Sequence, residues 1–333
     1  MDSLTHIVLG AATGQVVLGK KMGNKALLWG AIAGSIPDFD TFITPLLDPV
    51  TSLLFHRGPS HSILFAIICA PILGYLISKI RQGASFKQWS WLVLLSMTLH
   101  STIDIFNTYG TALLWPFSSA RLSFDSMSII DILYLTPILI LAIVLIFKPK
   151  QSKARQKLAI GILAFTFVFV TLSVGNKLIV DKRIKYQLNE KGIEYSRFKT
   201  APLPLTNFLW LVLAEDSLGY HYGYISSFDK RPVDFKYIYR NKELLGEYKY
   251  STQVGRLIEF TKGYFTLSSI DSGSVCLYDL RFGSMAFEDD KWYVFSFHIS
   301  GDKMNPVISR EHPNRSFNLE NIMAYYKRVV LYK

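Results

Sequence analysis

The sequence predicts a multi-pass α-helical membrane domain followed by a soluble, mainly-β (α+β) C-terminal domain. Half of the 333 residues are hydrophobic and only 18% are charged, which is unusual for a water-soluble protein. Residues 1–180 contain no Glu and only seven Asp, whereas residues 181–333 contain the other eighteen acidic residues. Long apolar runs dominate the first part and short alternating segments the second. We therefore predict two domains, 1–180 and 181–333.

Four apolar segments in the first part are long enough, or nearly so, to cross a hydrocarbon core of about 30 Å as helices. They are residues 62–78, 89–106, 129–147 and 158–176. Two earlier segments, 7–19 and 26–36, are each too short to span alone. Their glycines predict close packing against a neighbouring helix, and the sequence leaves open whether they cross as a hairpin.

Basic residues orient the predicted bundle. Eleven of the fourteen Lys and Arg residues before position 181 fall in three short connections, 20–25, 79–87 and 148–157. Cytoplasmic loops carry an excess of Lys and Arg, so these three connections are predicted to be cytoplasmic. The connections 37–61 and 107–128, together with the C-terminal domain, are then extracytoplasmic. This topology explains most of the net charge of +11 without a nucleic-acid partner.

The second part of the chain predicts an antiparallel β domain. Its alternating segments are rich in aromatic and β-branched residues and are separated by turn residues; they are 219–229, 255–269, 274–283 and 292–300. Residues 181–200 are predicted to be a connecting helix or linker, and a terminal helix is predicted near 317–328. Cys69 and Cys276 fall in different domains, so no disulfide between them is expected.

The histidines and carboxylates of the first part all fall on or near the predicted outer side. They are Asp2, His6, Asp38, Asp40, Asp48, His56, His61, His100, Asp104, Asp125 and Asp131. Ionisable groups at membrane depth are costly, so a cluster of them near one face predicts a functional site. His and Asp together are the ligands of hydrolytic metal sites, and they favour zinc, with manganese or iron as alternatives.

His100 and Asp104 form an HxxxD pattern on an otherwise apolar helix. A separation of four residues places both side chains on one helix face. They could bind one metal together, or the carboxylate could bridge two metals. The alternative is a hydrogen-bonded pair that fixes helix packing.

His56 and His61 belong to the segment HRGPSH, directly before a predicted span. The Gly-Pro pair makes a helical path between them improbable, so a tight loop is expected to bring the two imidazoles together. The alternative is a pair of exposed loop histidines, with Arg57 in contact with lipid headgroups.

The remaining candidates are weaker when taken one by one. Asp38 and Asp40 form a DxD pattern that is most often a solvated turn, and His6 is a single N-terminal histidine. Arg121 is the only basic residue of its connection and is predicted to hold a substrate anion. Asp131 begins a span, where it is either a further ligand or a helix cap. The joint occurrence of these residues on one face predicts a divalent metal site.

Taken in order, these residues resemble the YdjM-like family of inner-membrane proteins, which are described as metal-dependent hydrolases. The resemblance is carried by MDSLTH (1–6), GSIPDFD (34–40), HRGPSHS (56–62), LHSTIDIFNTYG (99–110) and LLWPFS (113–118) with Arg121. APLPLTNFLW (201–210), FTKGYF (260–265) and DLRFG (279–283) look like the soluble tail of many members. The resemblance implies an inner-membrane location.

The order of His, Asp, His and HxxxD is also similar to that of zinc-dependent phospholipase C and P1-type nucleases. By that likeness the metal ligands would be His6, Asp40, His61, His100 and Asp104, with Asp131 as a further candidate. Asp38 and His56 would assist catalysis. Those enzymes add an HxxxE pair, and no Glu precedes residue 190 in this chain. One or two ions are therefore expected rather than three.

We therefore predict a membrane-bound hydrolase that cleaves an ester or phosphoester of a lipid-like substrate with a metal-activated water. Asp38 or His56 would be the general base, and Arg121 would hold a phosphate. The predicted partners are membrane lipids and an amphiphilic substrate; a protein partner is left open. The alternative is a non-catalytic metal-binding scaffold or a stress-response protein that recruits a partner. A transporter is disfavoured because the spans 62–78 and 158–176 contain no His or acidic residue.

Overall fold

A computed structural model describes residues 1–271, 273–283, 293–311 and 327–329. Contacts between Cα atoms divide the chain into two compact units. The first comprises Met1–Leu47 and Leu54–Val174, and the second comprises Asp48–Leu53 and Gly175–Lys333. The main division therefore falls inside a helix rather than in a loop.

The N-terminal region is helical. Its helices are α1 (Ser3–Met22), α2 (Asn24–Ser35), α3 (Pro49–Phe55), α4 (Ile63–Ile80), α5 (Phe86–Asp104), α6 (Ile132–Phe147) and α7 (Lys153–Glu190). Short 3₁₀ turns at Pro37–Phe42, Thr44–Leu46 and Pro59–His61 lie in the connections on either side of α3. These connections carry most of the polar residues singled out above.

Two helices of the described part, α4 and α7, are long and apolar enough to cross a membrane. They coincide with the predicted spans 62–78 and 158–176. The predicted spans 89–106 and 129–147 also form helices, but α5 is less apolar and α6 has only 16 residues. A multi-pass topology therefore stays a prediction.

The first two helices pack closely through glycines, as the sequence predicts. A Cβ atom on Gly10 or Gly14 of α1 would overlap the backbone carbonyl of Gly30 or Ala26 in α2. A Cβ on Gly34 would in turn meet the carbonyl of His6. The helix backbones are thus in direct contact, which holds the first turn of α1 against the last turn of α2.

The three basic connections meet at one end of this unit. Lys21 donates to Gln88 at 2.9 Å, joining the end of α1 to the start of α5. Arg155, buried at the start of α7, donates to Gln15 and Asn24, each at 2.6 Å. The N-terminus of α1 and the C-terminus of α5 therefore lie at the opposite end.

The C-terminal region contains two four-stranded antiparallel sheets, each with its strands in sequential order. The first has β1 (Arg197–Pro202), β2 (Leu209–Glu215), β3 (Gly219–Ser226) and β4 (Lys236–Tyr239), and the second has β5 (Phe265–Asp271), β6 (Ser274–Asp279), β7 (Ser296–Ser300) and β8 (Val307–Glu311). Strand β2 is buried on both faces, since Leu211 joins one core and Val212 joins another that includes Ile184 of α7. The predicted antiparallel β domain is confirmed.

Local details of the C-terminal prediction differ from the structure. Residues 255–269 were expected to be extended, but α8 (Thr252–Phe260) precedes β5 because Val254, Leu257 and Phe260 form a buried stripe with helical spacing. The segment 181–200, predicted to be a connecting helix or linker, is helical in its first half as the end of α7, whereas strands β1 and β2 were not predicted. The terminal helix predicted near 317–328 lies almost entirely outside the described residues. Cys69 and Cys276 are both free thiols.

Replacing Gly30 with alanine is expected to destabilise the protein by about 1–3 kcal/mol, because the added methyl forces the α1 and α2 backbones apart. Gly161 in α7 is a matched control, since nothing lies within 4 Å of a Cβ added there. Gly161→Ala should leave stability unchanged or raise it by up to about 1 kcal/mol. The thermal unfolding midpoint in detergent measures both effects, and equal midpoints for the two variants would contradict the close approach.

Candidate metal centre

Five side chains from four elements converge at the end of the bundle opposite the basic connections. His6 comes from the first turns of α1, Asp38 from the 3₁₀ turn after α2, and His61 from the turn before α4. His100 and Asp104 come from the last turns of α5. All but Asp38 are fully buried. Two groups within this set, His6–His100–Asp104 and Asp38–His61–His100, have ligand atoms close enough to hold a metal ion.

Two imidazole nitrogens and two carboxylate oxygens lie close together in this cluster. The Nε2 atoms of His61 and His100 are 3.1 Å apart. Asp38 Oδ1 lies 3.5 Å from each of them. Asp104 Oδ2 lies 3.7 Å from His61 Nε2 and 3.6 Å from His100 Nε2. Zinc–ligand bonds of 2.0–2.2 Å in a tetrahedral site require ligand atoms about 3.3–3.6 Å apart. The distances from the two nitrogens to each carboxylate are near this range, and Asp38 and Asp104 belong to different candidate groups.

Hydrogen bonds behind the two imidazoles fix their protonation. His100 Nδ1 lies 2.6 Å from the carbonyl oxygen of Gly34, which can only accept, so Nδ1 carries the proton. His61 Nδ1 lies 3.0 Å from Ser60 Oγ, whose own proton is donated to Asp40 at 2.8 Å. With both rings neutral, these contacts direct the two Nε2 lone pairs at each other.

Such an arrangement is unfavourable without a positive charge between the rings. Two lone pairs 3.1 Å apart repel, and a proton or a metal cation between them removes the repulsion. Nδ1 of His6 is also buried without a hydrogen-bond partner, and Nε2 of His6 and Oδ2 of Asp104 have only long contacts, 3.2 Å to Asp104 Oδ1 and 3.3 Å to Arg57 Nε. Buried polar atoms normally have a hydrogen-bond partner, so the lack of a good one here is consistent with a bound ligand. The residues present therefore fit a divalent metal.

Arg57 lies inside the site rather than at the lipid headgroups. Its side chain is buried, and Nε is 3.3 Å from Asp104 Oδ2. The guanidinium also donates to Asn107 Oδ1 at 2.9 Å and to the carbonyl of Met1 at 3.2 Å. The α-amino group of Met1 contacts the other oxygen of Asp104. The Arg57 guanidinium thus compensates the buried carboxylate.

Asp40 binds the loop of residues 56–61, called the histidine loop here, and does not point into the metal cluster. One of its oxygens accepts a hydrogen bond from His56 Nδ1 at 2.9 Å. The other accepts from the backbone N–H of Arg57 at 3.1 Å and from Ser60 at 2.8 Å. Arg57 has φ = 59°, a left-handed conformation that costs energy for a residue with a side chain, and Asp40 holds it there.

His56 is held at the edge of the site. Its ring is 24% exposed, and Nδ1 is engaged by Asp40, which leaves Nε2 available. The ring packs edge-on against Tyr109 and His61 at centroid distances of 5.5 and 5.7 Å. A histidine oriented by a carboxylate in this way is suited to accept a proton.

Two other predicted site residues have structural partners. Arg121 donates to the carbonyl oxygens of Leu54, His56 and Gly110 and stacks on Tyr109. It therefore braces the histidine loop, and its guanidinium is engaged by protein rather than directed at a substrate anion. Asp131 caps α6 by accepting from the N–H of Tyr134 at 3.0 Å, and it belongs to neither candidate metal group.

The structure thus brings together four of the six predicted metal ligands: His6, His61, His100 and Asp104. Asp38, predicted to assist catalysis, supplies the carboxylate in the cluster, and Asp40 lies behind it. Sequence reasoning considered Arg57 as a stabiliser of phosphate charge without selecting it as a site residue, and it did not consider Asn107. The only available signal was their position inside the two strongest motifs, HRGPSH and HxxxD.

An apolar cavity of about 510 Å³ opens beside α5. Its walls include Leu99 and Ile103 of α5, which are the neighbours in sequence of His100 and Asp104, and Leu163 and Val170 of α7. The hydroxyl of Thr166 on its wall is bonded to the carbonyl of Ile162. The lining is therefore suited to hydrocarbon.

The loop carboxylate Asp40 gives the site a defined pH dependence. Burial alone would raise the pKa of Asp40, but the hydrogen bond and positive charge of His56, followed by His61 and Ser60, lower it below the ordinary value. The folded protein therefore gains stability from ionised Asp40 above the unfolded-state pKa of about 3.9, and loses it as the pH falls further.

The unfolding midpoint of the wild type should accordingly fall between pH 5 and pH 3 more steeply than that of Asp40→Asn, which should be less stable at neutral pH. Thermal unfolding across this range measures the difference. Parallel pH profiles for the two proteins would show that Asp40 is not ionised and paired as described.

Comparisons with known proteins agree with the helical N-terminal region. A family model described as YdjM inner membrane protein matches residues 1–180. The chain is 32% identical over 201 residues to the uncharacterized protein YfhP of Bacillus subtilis (strain 168), covering 57% of this chain and 58% of that protein. It is 25% identical over 120 residues to the inner membrane protein YbcI of Escherichia coli (strain K12), covering 35% of this chain and 69% of that protein.

No solved structure matches the chain. The similarity in ligand order to zinc phospholipase C and P1-type nucleases is shown by none of these comparisons and stays a prediction. The chain spans 58% of the length of YfhP. The family model covers more than half of the chain, and both its description and that of YbcI indicate the inner membrane. The protein therefore belongs to the YdjM family of inner membrane proteins.

Proposed function

We propose that this protein is a metal-dependent hydrolase that cleaves an ester or phosphoester bond in an amphiphilic substrate. The main support is the pair of facing Nε2 atoms of His61 and His100, with one carboxylate oxygen of Asp38 and one of Asp104 each 3.5–3.7 Å from both nitrogens. His6, stacked on His100 at a centroid distance of 3.5 Å, supplies a further nitrogen for the same ion or a second one. Compared with the sequence prediction, Asp38 replaces Asp40 among the candidate ligands, and Asp40 orients the proposed base His56.

Zinc is the first choice of ion for a site of neutral imidazoles and carboxylates, before manganese or iron. When bound, such an ion lowers the pKa of water and polarises the ester or phosphoryl oxygen. In the neutral rings, Gly34 and the Ser60–Asp40 pair place the proton on Nδ1 of His100 and His61, which leaves both Nε2 atoms free to bind the ion.

His56 is the proposed general base. Asp40 holds its Nδ1–H, which leaves Nε2 to take a proton from the attacking water and then return it to the leaving oxygen. The partial exposure of the ring gives the proton a route to solvent. Asp40 also accepts hydrogen bonds from the N–H of Arg57 and from Ser60, which contacts His61. Loss of its carboxylate would therefore disturb both the proposed base His56 and the candidate ligand His61.

Asn107 is the proposed donor to the negative charge that develops on the substrate. Its side-chain oxygen accepts from Arg57 and from the N–H of Tyr109, at 2.9 and 3.0 Å. These two donors fix the amide orientation and leave Nδ2 buried with no hydrogen-bond partner. A pre-oriented donor of this kind stabilises a developing oxyanion, and the Arg57 charge behind it adds to the effect. Arg121 is assigned a positioning role.

An amphiphilic substrate is supported by the surroundings of the site. The apolar cavity shares helix α5 with His100 and Asp104 and has a volume in the range of ligand pockets. We place the site and the C-terminal domain on the extracytoplasmic side. The support for this orientation is the meeting of the three basic connections at the opposite end of the bundle.

The proposal is tested by hydrolysis of soluble phosphoesters, soluble carboxyl esters and phospholipid vesicles by zinc-loaded protein in detergent or liposomes. The variant His56→Gln should lose about 10²–10⁴-fold in kcat, because a general base contributes that much. It should retain its metal, since His56 lies outside both ligand groups.

His221→Gln is the matched control, because His221 is a partly exposed histidine of the C-terminal domain. It should hydrolyse substrate at the wild-type rate. Metal-loaded wild type that hydrolyses nothing in the panel would favour the scaffold alternative. A fully active His56→Gln variant would remove His56 from the mechanism.

A further inference from the structure

Large apolar side chains project from two segments beside the candidate metal centre. We call them the interfacial rim, which consists of Phe42, Ile43, Leu46, Leu114, Trp115 and Phe117. Phe42, Leu46 and Phe117 are 76%, 84% and 85% exposed, which is extreme for side chains of this kind. A group of large exposed apolar side chains beside one site indicates a contact with another molecule or with a membrane.

Both segments of the rim are fastened to the histidine loop. The first follows Asp40, which accepts hydrogen bonds from the Arg57 N–H and the Ser60 hydroxyl. The second is joined by two backbone bonds of 3.0 Å, from Ala112 N–H to the carbonyl of Arg57 and from the N–H of Ile63 to the carbonyl of Leu113. The rim therefore flanks the segment that carries His56 and His61 on both sides.

The position of the rim points to lipid as its occupant. Ile63, bonded to the second segment, is the first residue of α4, one of the two described helices able to cross a membrane. The end of a membrane-spanning helix lies at the depth of the headgroups, where aromatic side chains accumulate. Residues 41–47 and 111–120 contain no Lys, Arg, Asp or Glu. An uncharged aromatic surface continuous with a span suits the boundary between headgroups and acyl chains.

The residues of the first segment have separate polar and apolar sides. Asp40 is buried against the histidine loop and Asp38 faces His61 and His100, whereas Phe39 and Phe42 are exposed. A single short 3₁₀ turn thus contributes a carboxylate to the cluster on one side and aromatic rings to the surroundings on the other.

We propose that the interfacial rim inserts into the lipid leaflet at the outer end of α4, and that the substrate is a lipid drawn from that leaflet. The substrate part rests on the proposed hydrolase function, whereas the insertion does not. A lipid whose ester or phosphoester lies at headgroup depth would meet the site without leaving the bilayer.

Insertion is tested with a nitroxide spin label on single cysteines at Leu46 and Phe117, in full-length protein whose Cys69 and Cys276 are replaced by alanine. The protein is reconstituted into vesicles of phosphatidylethanolamine and phosphatidylglycerol. The collision rate of the nitroxide with oxygen, which concentrates in hydrocarbon, is measured at each position. It is divided by the collision rate of the same nitroxide with a water-soluble paramagnetic chelate. Ile72, exposed on α4, is the lipid reference, and Leu218, exposed between β2 and β3, is the water reference.

Labels at positions 46 and 117 should give an oxygen-to-chelate collision ratio several-fold above that at 218 and close to that at 72. A ratio equal to that at 218 would overturn the insertion. Shielding from both reagents would also overturn it, because a second copy or a protein partner would then cover the rim. Unfolding midpoints equal to that of the cysteine-free parent confirm that each labelled protein is folded.

The substrate part has its own readout. Replacing Phe42, Leu46 and Phe117 together with serine should lower hydrolysis of vesicle phospholipid several-fold and leave hydrolysis of a short-chain soluble phosphoester unchanged. Equal losses on both substrates would overturn the lipid assignment. If the wild type hydrolyses neither, the proposed function fails while the spin-label result still decides the insertion.

Discussion

In their neutral forms, His61 and His100 direct unprotonated Nε2 atoms at each other across 3.1 Å in a buried site. Gly34 fixes the proton of one ring, and Ser60 with Asp40 fixes that of the other, so neither ring can relieve the repulsion by changing tautomer. Two carboxylates, Asp38 and Asp104, complete the set. The cluster is unfavourable as a neutral hydrogen-bonded core and favourable around a cation, and this constraint underlies our interpretation of the surrounding residues.

Close backbone contacts and short turns position the five candidate ligand residues, which are the four named above and His6. Glycine packing between α1 and α2 places the Gly34 carbonyl next to α5, where it meets His100. Asp40 ties together the 3₁₀ turn and the histidine loop, and Arg121 holds the other side of that loop through backbone carbonyls. Ligand geometry therefore depends on residues that never touch a metal, which is common in metal sites.

The sequence predicted the cluster better than it predicted the role of each member. HxxxD spacing predicted the pairing of His100 with Asp104, and the Gly-Pro turn of HRGPSH predicted that of His56 with His61, because both arguments depend only on local backbone geometry. Asp38 and Asp40 could not be told apart, since the direction of each side chain is set by tertiary contacts with His56 and Ser60. The sequence also could not distinguish the roles of Arg57 and Arg121. Tertiary packing buries Arg57 against Asp104 and directs Arg121 toward backbone carbonyl oxygens. In the C-terminal domain, strand β2 was missed because burial on both faces removes the alternation that marks a strand.

Metal content tests the central claim most directly. Elemental analysis of wild type, purified in detergent without chelators and supplied with zinc, is compared with a variant carrying His100→Ala and His61→Ala, since these replacements remove the two facing Nε2 atoms. The account predicts stoichiometric zinc in the wild type and its loss in the double variant, with His221→Ala retaining the metal. Metal-free wild type that remains folded would contradict it and would leave the four residues as a buried polar packing cluster.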